Sequence, residues 1–123
     1  MTSGITSTQN SQVWATNAIG SSTPFNFIPP NPNRKTLTFT NPAPSGTGND
    51  VLVAPLAAFQ VTSSGVFPTA SAPLTISAAN PGGARRVFVG GGSVVVSGLA
   101  AKLGWVALAV AGSNNPLTAE EDT

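Results

Sequence analysis

The chain has 123 residues, a length that suits a single domain with one core. It contains no cysteine, histidine or tyrosine and only four carboxylates, which excludes a disulfide framework and a thiolate zinc site and leaves almost no inventory for acid–base, nucleophilic or metal catalysis. Charged residues make up 7% of the chain and the formal net charge is +1, so a surface built from Ser, Thr and Asn offers little repulsion between copies and favours a protein that works inside an assembly. No enzyme, no cofactor and no small-molecule ligand is expected.

In chain order, residues 1–10 are polar and aperiodic, and the start lacks the basic and apolar regions of a secretory signal, so synthesis in the cytoplasm is expected. Residues 23–32 carry four prolines, which favour extended over centrally paired backbone. Residues 1–33 therefore read as an extended, proline-rich N-terminal arm, and residues 34–123 as the folded domain with a short acidic tail. The arm's Trp14, Phe25, Phe27 and Ile28 are too apolar to leave in water, and their expected surface is either the arm's own sandwich or, as the favoured reading, a neighbouring subunit.

From residue 35 the pattern changes to period two. In Lys35-Thr36-Leu37-Thr38-Phe39-Thr40 two apolar residues alternate with β-branched threonines, the mark of a strand with one dry and one wet face. Residues 41–50 read as a loop. Residues 51–54, 59–62, 73–77, 86–89 and 94–97 are further short strands between Gly, Pro, Asn and Ser punctuation. Residues 105–111 are the longest strand expected, returning through 112–115 into a short edge strand over 116–120 as a hairpin. Residues 99–103 suit at most one turn of helix. The apolar run 94–112 has membrane-helix length, but Lys102 at its middle and Gly98 and Gly104 favour two strands and a turn, so no membrane partner is expected.

The predicted fold class is all-β: an antiparallel β-sandwich of jelly-roll or immunoglobulin-like type with an extended N-terminal arm. Its expected core is Leu37, Phe39, Val51, Val53, Phe88, Val106, Leu108 and Val110, with Trp105 also shielded.

Gly90-Gly91-Gly92 and Asn80-Pro81-Gly82-Gly83 match no phosphate-loop pattern and read as turns. Serines such as those of Ser63-Ser64-Gly65 have no histidine to activate them. Glu120-Glu121-Asp122 reads as a solvated tail, with a cation site as the other reading. Five scattered cations are too few for a nucleic-acid surface. Arg34-Lys35 and Arg85-Arg86 each follow an Asn-Pro turn and precede a strand. Either they protect strand ends from stray pairing, or both lie at one rim and meet an acidic partner. Trp14 leaves a carbohydrate-stacking platform open as a second binding class.

Across Asn33-Arg34-Lys35-Thr36-Leu37-Thr38-Phe39-Thr40-Asn41, the following loop, Val51-Leu52-Val53 and the acidic finish, the chain resembles small β-sandwich virion proteins of tailed bacteriophages. The resemblance spans about residues 33–121. It implies a structural role: a head decoration or cement protein bound to the major capsid protein and to copies of itself on the capsid surface of the virion. A tail or head–tail connector subunit is the alternative within that group. The assembly contacts expected are Trp14, Phe25, Phe27, Ile28, Arg34, Lys35, Arg85 and Arg86.

Overall fold

Alternation along Thr36–Asn41 places Leu37, Phe39 and Asn41 on one face and the three threonines on the other, and the strand pairs on both sides. The computed structural model describes residues 12–55 and 84–123. Its strands in chain order are β1 (Val13–Ile19), β2 (Phe25–Ile28), β3 (Thr36–Asn41), β4 (Val51–Pro55), β5 (Arg85–Val87), β6 (Gly92–Ser97), β7 (Trp105–Ala109) and β8 (Asn115–Asp122), with a 3₁₀ turn over Gly98–Lys102 between β6 and β7. Two four-stranded antiparallel sheets result, ordered β1-β8-β3-β6 and β2-β7-β4-β5. The fold is all-β, and no α-helix occurs among the described residues.

One apolar cluster joins the two sheets. Ile19, Leu37, Phe39, Val96, Leu117 and Ala119 of the first meet Phe27, Val51, Val53, Val87, Trp105, Ala107 and Ala109 of the second. Phe39 is its centre: its ring lies 6.4 Å from Phe27 and 5.3 Å from Trp105 by centroids, tilted rather than stacked. Tilted rings at this spacing add to the gain from burial. A second cluster, Leu52, Ala54, Val106 and Leu108, is buried on the opposite face of β4 and β7.

Several expectations are corrected. No arm stands apart from the domain over the described part of residues 1–33: β1 pairs with β8 and β2 with β7. Pro24 and Pro29 bracket β2 instead of breaking it, as an edge strand allows. The terminal hairpin does not form, because β7 and β8 belong to different sheets. Nor is β8 a short edge. It runs for 8 residues between β1 and β3, and Pro116, which has no N–H to give, falls where the β1 register is irregular and beyond the β3 register.

Phe88, expected in the core, is 59% exposed, because β5 ends at Val87 and the chain turns immediately. In β7 both faces are apolar and buried, so the sequence gives no phase. Trp105, Ala107 and Ala109 face the main core, while Val106 and Leu108 belong to the second cluster and Val110 is half-buried at its margin. The strands expected at 59–62 and 73–77, and the turn at 80–83, lie outside the described residues. The three-glycine segment is a turn as expected: Gly90 and Gly91 have positive φ, and a Cβ on Gly92 would stand 2.5 Å from the Phe88 carbonyl oxygen.

Phe39→Ala should cost about 3–5 kcal/mol, and Phe88→Ala should stay within about 0.5 kcal/mol of the parent. Urea unfolding of the two variants checks both, and equal losses would contradict the placement of Phe88 outside the core.

Candidate functional site

A cation with no exposed surface organises one end of the two sheets. Arg34, just before β3, is fully buried. Its Nε donates to Glu121 Oε1 at 2.8 Å, Nη1 to the carbonyls of Ala101 and Leu103 at 2.9 and 3.2 Å, and Nη2 to the Pro29 carbonyl at 3.0 Å. The Trp14 ring lies 5.5 Å from the guanidinium carbon. Asn31 Nδ2 also donates to Glu121 Oε1, and Lys102 Nζ to the Arg34 carbonyl at 2.8 Å. Burying a guanidinium costs several kcal/mol unless its donors are paired, and this geometry pairs them in four directions.

At the opposite end three asparagines do similar work without charge. Asn41 Nδ2 donates to the carbonyls of Asn49 and Val87 at 3.0 and 3.1 Å, and its Oδ1 accepts from Ala43 N–H. Asn49 Nδ2 donates to Asn115 Oδ1 at 3.1 Å, and Asn115 Nδ2 to the carbonyls of Ile19 and Ala111. Among the described residues, the four chain reversals at this end, β1–β2, β3–β4, β5–β6 and β7–β8, are thereby tied by side-chain amides.

These placements decide which expected contacts can meet a partner. Arg34 cannot, since it is sealed inside. Phe27 and Ile28 are buried in the main cluster, and Trp14 and Phe25 pack half-buried against it, so the apolar residues expected to need a neighbour are covered by their own domain. Lys35, Arg85 and Arg86 are exposed. Arg85 and Arg34 lie at the same end: Val53 pairs with Arg85 and Pro55 with Trp105, and the Arg85 guanidinium lies 6.0 Å from the Trp105 ring. Arg86 pairs with Asp50 Oδ2 at 2.8 Å and lies over the Phe88 ring.

The outer face of the first sheet is a field of small side chains. Cross-strand partners give the rows Asp122, Thr36, Ser97; Val13, Glu120, Thr38, Val95; and Ala15, Thr118, Thr40, Ser93. Thr40 and Ser93 hydroxyls hydrogen-bond at 3.0 Å across the last of these. Val13 and Val95 are each 62% exposed. Among the described residues no three carboxylates come together as a metal set. What this arrangement can do is bind a surface by shape, backbone pairing and neutral hydrogen bonds.

Sequence reasoning missed Glu121, taken as part of a solvated tail. The signal was present: Glu121 shares the period-two phase of Asn115, Leu117 and Ala119, so a strand extended through the tail points its carboxylate inward. Val13 and Val95 gave no such signal, because outward valines look like core.

Asp50 gives a pH-dependent prediction. Its carboxyl is held below the ordinary aspartate range, first by the Val89 N–H on Oδ1 at 3.0 Å and then by Arg86. Stability from a depressed carboxyl is present above the unfolded value, about pH 4, and is lost as pH falls through the lowered folded value. Thermal melts from pH 7 to pH 2 should show Asp50→Asn less stable than the parent at neutral pH and the gap closing in acid. Arg86→Ala should matter less, since its half-exposed pair is worth at most about 1 kcal/mol.

Set against protein-family models, curated proteins and solved structures, the chain finds no match in any of the three, so the reading of this surface rests on its own residues.

Proposed function

We propose that this chain is a structural protein of a virion, a β-sandwich module of jelly-roll type that decorates or cements the outside of a phage head. The observation that carries the reading is strand order. The eight strands of the described residues, with β1, β8, β3 and β6 in one sheet and β2, β7, β4 and β5 in the other, follow the wrap of two Greek keys, used by viral capsid domains, lectins and cupins. It favours jelly roll over the immunoglobulin-like arrangement, whose sheets group the strands differently.

Fold alone does not choose among those uses, so the surface has to. A sugar platform needs an exposed ring with polar neighbours. Of the described aromatic residues, Trp105 is buried, Trp14 is half-covered beside Arg34, and Phe88 carries Arg86 over its ring. The Ser/Thr face of the first sheet, with Glu120 and Asp122 its two charged residues among those paired rows, suits a broad, mostly neutral contact with a protein lattice instead. The partners on this reading are the major capsid protein and further copies of the chain, on the capsid surface.

Co-sedimentation with purified heads tests the reading. Binding should survive about 0.5 M salt, where screening lengths fall to a few ångströms, because few charges are available to make it. Attachment to isolated tails alone would move the protein to the tail or connector. Capture by immobilised glycans without any particle binding would overturn the virion role.

A further inference from the structure

The two sheets treat their edges in opposite ways. In the second sheet the edge strands are β2 and β5, of 4 and 3 residues. Pro24 and Pro29 flank the first, and Arg85 and Arg86 form most of the second. Short length, proline and charge are the usual means of keeping a sheet edge from pairing with another chain. Among the described residues, the edges of the first sheet are β1 and β6, of 7 and 6 residues, VWATNAI and GSVVVS, with neither a charge nor a proline between them. An edge of that kind is a template for another strand.

The hydrogen-bonding phase of both edges follows from the ladder. Glu121 N–H donates to the Gln12 carbonyl, so Gln12 and, by alternation, Trp14 turn their backbone groups toward β8, while Val13 and Ala15 turn theirs to the open side. On the other edge the Asn41 carbonyl accepts from Gly91 N–H, so Asn41, Phe39 and Leu37 face β6. Their partners Val94 and Val96 face back, while Gly92 N–H turns aside to the Phe88 carbonyl, and this leaves Ser93, Val95 and Ser97 to open outward.

Val13 and Val95 stand at the two ends of one row, Val13, Glu120, Thr38, Val95, and both are 62% exposed on the same face. The strands of the sheet alternate in direction, so β6 of one copy and β1 of the next run antiparallel without any reversal.

We propose that the first sheet continues from copy to copy through antiparallel pairing of β6 with β1 of a second copy, in the register that sets Val95 beside the next copy's Val13. In that register Val95 and Val13 form a hydrogen-bonded pair, the next row sets Ser93 beside Ala15, and the alternation of the ladder is unbroken. The exposed valines cover each other on the outer face, and on the inner face Val94 comes beside the next copy's Trp14, which is half-buried against its own core. The contact is head-to-tail, not two-fold: each copy offers β6 to one neighbour and β1 to another. Four strands at about 4.8 Å advance each copy by roughly 19 Å, and ordinary strand twist turns it by roughly 80–100°. The proposal does not depend on the virion reading, since it concerns the isolated protein.

Cysteine pairing tests it cleanly, because the natural chain has no cysteine. Val13→Cys and Val95→Cys are prepared separately in the full chain, confirmed as folded by circular dichroism, and oxidised alone and as an equimolar mixture. Hydrogen-bonded antiparallel partners lie about 5.5 Å apart between Cα atoms, inside the range a disulfide spans. The mixture should give a cross-linked dimer several-fold in excess of either variant alone, and the double variant a ladder of higher oligomers. Equal cross-linking by a single variant, or no excess in the mixture, would overturn the head-to-tail pairing. As a second measurement, the sedimentation coefficient of the unmodified chain should rise with concentration while that of Val95→Lys stays at the monomer value. A parent chain that remains monomeric at every concentration would also refute the proposal.

Discussion

The burial of Arg34 is the constraint on which the rest of this structure depends. A guanidinium removed from water is tolerated only where carbonyls and a carboxylate are brought to it, and those groups come from Pro29 after β2, from Ala101 and Leu103 around the 3₁₀ turn, and from Glu121 near the end of β8. The single side chain thus fixes where the N-terminal strands, the crossover between sheets and the C-terminal strand stand relative to one another. An apolar residue of the same volume could fill the space but could not choose those partners. The Trp14 ring beside the guanidinium extends the same constraint to β1.

With one end sealed by an ion pair and the other by amides, the chain reversals are spoken for and the surface left to the outside world is that of the sheets. There the asymmetry matters. The second sheet defends its short edges with proline and arginine, and the first leaves long uncharged edges and a face of threonines, serines and small residues. That division is the basis on which we propose a direction of assembly for a chain of low net charge.

Much of this was legible in the sequence where period two was clean. Thr36-Leu37-Thr38-Phe39 declares a strand and its buried face, Val51 and Val53 follow the same rule, and the glycine and proline spacing rules out long helices. The failures have particular causes. In Trp105-Val106-Ala107-Leu108-Ala109 both phases are apolar, so alternation carries no information about which face meets the main core. The prolines around Phe25–Ile28 read as an arm because proline weakens a central strand, yet an edge strand tolerates them at its ends. Arg34 looked like a rim contact because a basic residue before a strand is normally wet. Its burial depends on a carboxylate 87 positions away, and long-range pairing of that kind leaves no local trace.

The most direct test of this account is a double-mutant cycle on the pair, with Arg34→Met, Glu121→Leu and the combined variant compared by urea unfolding. Each single change strands a buried charge and should cost about 3–5 kcal/mol, while the double variant should recover a large part of the summed loss. Single losses below about 1 kcal/mol, or losses that simply add, would show that the buried pair is not the constraint on which the structure depends.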